Sequence, residues 1–284
     1  MEKTKTSTTA QGIAMIRALE SEKPPGKRIC YDPFAQKFVD PWFYLLGKIF
    51  AGSADRRSPG FVGFVVSRCR YIDDYLEKCL RGNIAQVVIL GAGLDSRAYR
   101  FAIFKGPVKV FEVDQPGTQE AKIARVKKVF GEVPSFVTYV PIDFNKESLD
   151  KLSGNGYDRS QTSLFILEGV TPYLKAEAVD STLGWVRFNA ASGSSIIFDY
   201  IYTSALTAEH RHSEVERMRR TQRFTGEALV FGIEKTQIED FLTRFGFIRV
   251  VNASAEDFKR LYFTGLNQDR PIADIYSIVH AMVP

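Results

Sequence analysis

The sequence is poor in the side chains that ligate metals and form cross-links: it has three cysteines and three histidines in 284 residues. Cys30, Cys69 and Cys79 lack metal-ligand spacing. The simplest reading is a reducing compartment in which they serve as small apolar groups, with a nucleophilic Cys69 as the lesser alternative. No metal site is expected. No stretch approaches the roughly 18 uninterrupted apolar residues of a membrane span. Met1 to Gln11 is polar and threonine-rich, without the apolar core of a secretory leader. A mobile tail to about Thr9 and a cytoplasmic location are therefore expected. No run of five lysines or arginines occurs, and the net charge of +5 permits nucleic-acid binding without arguing for it. The densest basic cluster, Arg211, Arg217, Arg219, Arg220 and Arg223, is diluted by Glu209, Glu214 and Glu216. It reads as a solvated helix face. Internal repeats and low-complexity tracts are also missing. What remains is an ordinary globular composition, 45% hydrophobic and 25% charged, in a length that suits one large α/β domain or two small ones.

Against that background one stretch stands out, Gln86 to Arg97. An apolar run, Val87 to Leu90, enters Gly91-Ala92-Gly93, and a helix-compatible segment follows. A buried strand ending in glycines ahead of a helix is how parallel α/β sheets build nucleotide sites. Further strands are expected at 108–113, 136–141, 163–168, 195–200 and 247–252, with helices between most of them. The helices expected include Pro116 to Phe130, Lys175 to Val186 and Thr236 to Phe245, the last with Thr236 and Glu239 as a capping box. Earlier in the chain, Gly12 to Leu19 and Arg68 to Leu80 read as helices, and Asp32 caps a turn that opens at Pro33. The strand at 275–282 follows the sixth with only a long loop between, so it is expected antiparallel at the sheet edge. The result is a seven-stranded, mostly parallel α/β sheet covered on both faces. Four segments are expected within a single domain: a helical cap (1–82), a core (83–201), a lid insertion (202–231), and a last helix with strands (232–284).

Ligands of such sheets lie outside the carboxyl ends of the strands. Those ends deliver Gly91-Ala92-Gly93, then Glu112 and Asp114, Asp143-Phe144, Glu168-Gly169 and Asp199-Tyr200. Carboxylates suit ribose hydroxyls, an adenine amino group or an α-ammonium, and suit a pyrophosphate poorly. The third glycine of the dinucleotide fingerprint is replaced by Ser96. Both observations point away from NAD and towards S-adenosylmethionine.

Three segments together resemble the leucine carboxyl methyltransferase family: Leu90 to Arg97, Phe111 to Pro116, and Leu167 to Leu174. The similarity leans to the bacterial branch that includes polyketide carboxyl methyltransferases. Asp32-Pro33-Phe34-Ala35, Arg68 to Asp73 and Phe231-Gly232-Ile233 fit as well, so the resemblance spans roughly residues 10 to 250. It implies a class I (Rossmann-like) methyltransferase fold and S-adenosyl-L-methionine as cofactor. Arg68 would pair with the cofactor's carboxylate, and Gly91, Ala92 and Gly93 would line its methionine portion. Asp114, with Gln115 beside it, would take the ribose hydroxyls. Asp143 and Phe144 would frame the adenine, Phe144 standing where the family usually has leucine. Glu168, followed by Gly169, would sit near the α-ammonium. A cation ahead of the Asp-Pro turn, Lys27 or Arg28, contributes in some members.

The reaction implied is methyl transfer to a small-molecule oxygen, with a carboxylate favoured. A carboxylate is already ionised at neutral pH and needs alignment and dehydration but no base. A phenol would want one, and His210 or His212 in the lid could serve. Tyr173, Tyr200 and Tyr202 are candidates for acceptor positioning, or for packing under the lid. A protein C-terminal carboxylate is the family's other substrate type. An RNA methyltransferase is a weaker alternative, because no Asn/Asp-Pro-Pro-Tyr motif or aromatic–basic platform is present. A cofactor-binding regulator without turnover is the third reading.

Overall fold

The structure, a computed structural model, describes residues 7–57, 60–101, 107–207 and 228–284. The chain opens with α1 (Thr8–Ser21), α2 (Ala35–Phe38), α3 (Pro41–Arg57) and α4 (Phe61–Arg81). Alternation follows: β1 (Gln86–Leu90), α5 (Arg97–Arg100), β2 (Lys109–Asp114), α6 (Pro116–Phe130), β3 (Val137–Pro141), α7 (Lys151–Gly154), β4 (Ser163–Leu167), α8 (Ala176–Asn189) and β5 (Ser195–Ile201). The rest comprises α9 (Thr203–Leu206), α10 (Ile238–Arg244), β6 (Ile248–Ser254), α11 (Ala255–Tyr262) and β7 (Tyr276–Met282).

One seven-stranded sheet runs in the order β3-β2-β1-β4-β5-β7-β6. Pairing is parallel from β3 across to β5, and β7 is antiparallel to both β5 and β6. Successive side chains along each strand point to opposite faces, so one strand feeds two cores. Val87 and Ile89 join Leu164, Ile166 and Ile197 beneath the N-terminal helices. Val88 and Leu90 join Phe165, Leu167 and Phe198 on the face covered by α8 and α10. β1, β4 and β5 are buried along their whole length, which is why they read as unbroken apolar runs rather than alternating ones.

Three features depart from the sequence reading. The reversed strand lies one place in from the sheet margin, and β6 takes the margin itself. Burial explains the order: β7 is buried over Tyr276 to Val279, whereas β6 leaves Ile248, Arg249 and Val251 exposed. A helix, α11, stands where only a loop was expected. The capping box also sits elsewhere. Gln237 precedes α10 without a side-chain cap, while Ser254 and Asp257 form the reciprocal box at the start of α11. Asp32 does accept from the backbone N–H groups of Phe34 and Ala35, though the helix proper begins at Ala35, two residues beyond Pro33. Residues 1–6 and 208–227 lie outside the described residues. With them go most of the tail and lid expectations, the basic cluster, His210 and His212. No described helix is long and apolar enough to cross a membrane.

Candidate functional site

The strand order changes direction of growth between β1 and β4, and a crevice opens there at the carboxyl ends of the strands. It holds a cleft of about 590 Å³, within the range of small-molecule sites. The floor is the glycine turn. Gly91 has φ 69°, and a Cβ there would lie 2.3 Å from Val170 Cγ2, so both backbone and space demand glycine. The turn is tied down when the N–H groups of Gly91 and Ala92 donate to Val113 O at 2.8 and 3.0 Å. The N–H of Gly93 donates to Asp114 Oδ2 at 2.5 Å, which fixes the carboxylate at the end of β2. Gln115 and Thr118 continue that wall, and Phe144 and Leu174 line an apolar slot with Asn145 beside it.

The other end of the cleft is a buried ion network. Glu168, at the end of β4, accepts from Arg68 Nε through Oε1 at 3.1 Å and from Arg97 Nη1 through Oε2 at 2.6 Å. Burial works to raise the Glu168 carboxyl, but Arg97, Arg68 and Arg17 outweigh it and hold the group down at about 2. Arg68 also donates to Asp199 at 2.7 Å, and Asp199 accepts the N–H of Gly169 at 2.6 Å. Arg97 reaches Asp73 and Asp95 as well. Here the strand-end acids orient arginines. Charge in so buried a place is tolerated only when each group is paired in this way.

The cleft is closed from above by α1. Ala10 lies against the glycine turn, 3.5 Å from where a Gly93 Cβ would stand. Arg17, a turn beyond Ile13, donates to Asp32 at 3.0 Å and to Leu94 O at 2.6 Å. Sequence reasoning missed Arg17, Asp95 and Arg97. The available signal was an arginine on the same helical face as Ala10 and Ile13, and a second arginine directly after the glycine turn.

Of the expected residues, the structure brings Arg68, Gly91, Ala92, Gly93, Asp114, Gln115, Phe144, Glu168, Gly169 and Tyr173 together on the cleft wall. Other expected residues go elsewhere. Glu112 turns into the core to meet Lys122 at 2.8 Å, and burial there raises its carboxyl to about 7. Asp143 stays at the rim, where it accepts the N–H of Asn145 and pairs with Lys146 at 2.9 Å. That is the local capping role of a short acid at a turn. Tyr200 is fully buried in the second core, its hydroxyl donating to Asn252, and is not among the residues that line the cleft; Tyr202 pairs with Ser277. Neither Lys27 nor Arg28 lines the cleft, and Arg28 stacks over Tyr31 at 3.9 Å. Among the described residues no cluster of histidines, cysteines and acids could hold a metal.

The fold is that of the Rossmann-like methyltransferases. A solved structure from Thermobifida fusca, provisionally titled a methyltransferase, aligns with 99% of this chain and 96% of its own at a TM-score of 0.61 and 16% identity. A DUF574-family protein of Streptomyces avermitilis aligns over 99% of each chain at 0.59 and 14%. In sequence, the model of the leucine carboxyl methyltransferase family matches residues 10–187. YktD of Bacillus subtilis is 30% identical across 76% of this chain and 71% of its own. A Mycobacterium tuberculosis protein is 31% identical across 82% and 75%. The names of both assign them, provisionally, to S-adenosyl-L-methionine-dependent methyltransferases. The chain belongs to the leucine carboxyl methyltransferase family, and is an enzyme of the S-adenosyl-L-methionine-dependent methyltransferase class.

Proposed function

We propose that the chain methylates a small-molecule oxygen, most readily a carboxylate, using S-adenosyl-L-methionine held in the β1–β4 crevice. The observation that carries this reading is the polarity of the cleft. A fixed carboxylate, Asp114, stands at one end for a diol, an apolar slot with Phe144 lies beside it, and guanidinium groups line the other end for a carboxylate. When bound, the cofactor supplies an activated methyl group on a sulfonium. The chain's own contribution is positional. Asp114 accepts from ribose hydroxyls, Arg68 neutralises the amino-acid carboxylate, and α1 excludes water. Tyr173 and Val230, next to each other through the hydrogen bond from Val230 N to Pro172 O, form the acceptor side. The described lining contains no histidine, and an ionised carboxylate requires none, since alignment and dehydration suffice.

Calorimetry with S-adenosylhomocysteine tests the cofactor half. Binding is expected, with no competition from NAD, and Asp114→Ala or Arg68→Ala should weaken it by roughly tenfold or more. Absence of binding to the unaltered protein would refute the proposal. For the acceptor half, a panel of small carboxylic acids and phenols is incubated with methyl-labelled cofactor. Label released as methanol on mild base marks a carboxyl ester, whereas label that survives base marks a phenol ether and overturns the carboxylate reading.

A further inference from the structure

Behind the glycine turn, outside the cleft lining, sits a pair of charges that the proposed reaction does not use. Glu112 of β2 and Lys122 of α6 are both sealed from solvent, with Lys122 Nζ 2.8 Å from Glu112 Oε2. The same ammonium donates to Ala92 O at 3.4 Å, so it touches the middle residue of the turn that lines the cleft. One helical turn earlier on α6, Gln119 donates to Glu112 O at 2.8 Å and holds β2 two residues short of Asp114. Structure alone explains the pair poorly. Ala92 O already accepts the N–H of Asp95 at 2.7 Å. Among the described residues, only Glu112 and Arg100 have sealed side-chain polar atoms that no well-directed hydrogen bond meets, and for Glu112 both carboxylate oxygens are of that kind. A buried ion pair with such defects stabilises a fold less than apolar side chains of similar volume would.

We infer that Glu112 and Lys122 are positioning residues for the cofactor: the pair sets the charge behind the glycine turn and so discriminates the sulfonium methyl donor from its neutral thioether product. The inference rests on the cofactor reading above and deepens it. With Glu112 ionised the pair is neutral, and with Glu112 protonated it carries one positive charge. The groups that face the carboxyl are Lys122 from α6, Tyr99 from α5, Tyr139 from β3 and Asp95 from the segment after the turn. The two tyrosine hydroxyls bond each other at 2.7 Å. Burial raises the carboxyl to about 7 against the pull of Lys122, and Asp95 adds to the rise. The pair therefore passes between neutral and cationic around neutral pH. S-adenosyl-L-methionine carries a sulfonium, whereas S-adenosylhomocysteine carries an uncharged sulfur. In a buried site a unit charge acts over several ångströms with little screening. The ionised pair accepts the sulfonium, and the protonated pair repels it while leaving the thioether unaffected.

The test is the ratio of two affinities. S-adenosyl-L-methionine and S-adenosylhomocysteine are titrated calorimetrically, at about pH 6 and about pH 8, into the wild type, Glu112→Gln and Lys122→Met. In the wild type the preference for the sulfonium should rise roughly 3- to 10-fold from the lower to the higher pH. Glu112→Gln keeps the cation and removes the proton site, so its ratio should stay near the low-pH value of the wild type. Lys122→Met removes the cation and leaves a neutral carboxylic acid, so its ratio should stay near the high-pH value. Each ligand's own α-ammonium titrates alike in all three proteins, and the difference between them isolates Glu112. A purely structural role would weaken both ligands together and leave the ratio unmoved. If neither variant folds, proton release by the wild type decides. At about pH 6.5, heats in buffers of different ionisation enthalpy should show a fraction of a proton released with S-adenosyl-L-methionine and none with S-adenosylhomocysteine. The same pH dependence of the ratio in wild type and Glu112→Gln, or equal proton release for both ligands, overturns the inference and leaves the cofactor reading intact. Failure of the wild type to bind either ligand removes both.

Discussion

Glu168 receives one arginine on each carboxylate oxygen, and neither pair is open to solvent. Removing a charge from such an arrangement leaves its partners buried and unmatched. Glu168→Gln should therefore lose about 3–5 kcal/mol in urea denaturation at neutral pH, and a loss under about 1 kcal/mol would show that Arg68 and Arg97 find other acceptors. The gap should depend on acidity in a definite direction. The folded carboxyl is held down at about 2 against an ordinary 4.5. The stabilisation is thus whole above pH 4.5 and is lost as pH falls through about 2, so variant and wild type should converge there. The position of Glu168 was legible because an acid directly after an apolar run has few structural excuses. Its partners were not, because an arginine's role is set by what lies 71 or 100 residues away. Asp143 shows the converse: it has the right residue type at the right strand end, but a turn at Asn145 and Lys146 occupies it.

At the level of elements, β1, β4 and β5 were readable to within a residue, since each is buried along its whole length and carries no competing period. α6 was readable at both ends, with Pro116 opening it and Gly131 closing it. α11, Ala255–Tyr262, falls in the stretch that was read as a loop. Only its cap announces it: Ser254 accepts from the backbone while Asp257 accepts from the N–H of Ser254 at 2.8 Å. The cap should matter more to so short a helix than to a long one. Ser254→Ala is expected to cost about 1 kcal/mol, read as a shift in the denaturation midpoint. No shift would mean that packing of Phe258 alone holds the helix.

For the whole molecule, two groups, one buried and one half-buried, set the pH profile of stability between the carboxylate and histidine ranges. They pull in opposite directions. Burial raises Glu112 to about 7 despite Lys122, so its contribution is whole below pH 4.5 and is lost as pH rises through about 7. His280, stacked on Tyr75 at 4.1 Å, is lowered to about 4 by burial and then Lys78. Its contribution is whole above pH 6.5 and is lost as pH falls through about 4. In the shared window the two largely cancel. Denaturation midpoints of the wild type should then be nearly flat between pH 5 and 6.5. Glu112→Gln should make them rise with pH, and His280→Phe, which keeps a ring over Tyr75, should make them fall. Parallel flat profiles for all three proteins would contradict the account. Such coupling has no signature in sequence, because Glu112 looks like any other acid near a strand end until the sheet turns it inward.

The place of β7 between β5 and β6 carries a consequence for the order in which the protein is made. Strand β5, buried along its length, has no neighbour on its outer side until residues 276–282 have been synthesised. Strand β6 emerges earlier and waits for the same partner. A nascent chain that has reached Asn267 therefore displays an unpaired apolar strand edge, of the kind that recruits other chains. Ribosome pausing or premature termination in the last stretch before Tyr276 exposes that edge longest.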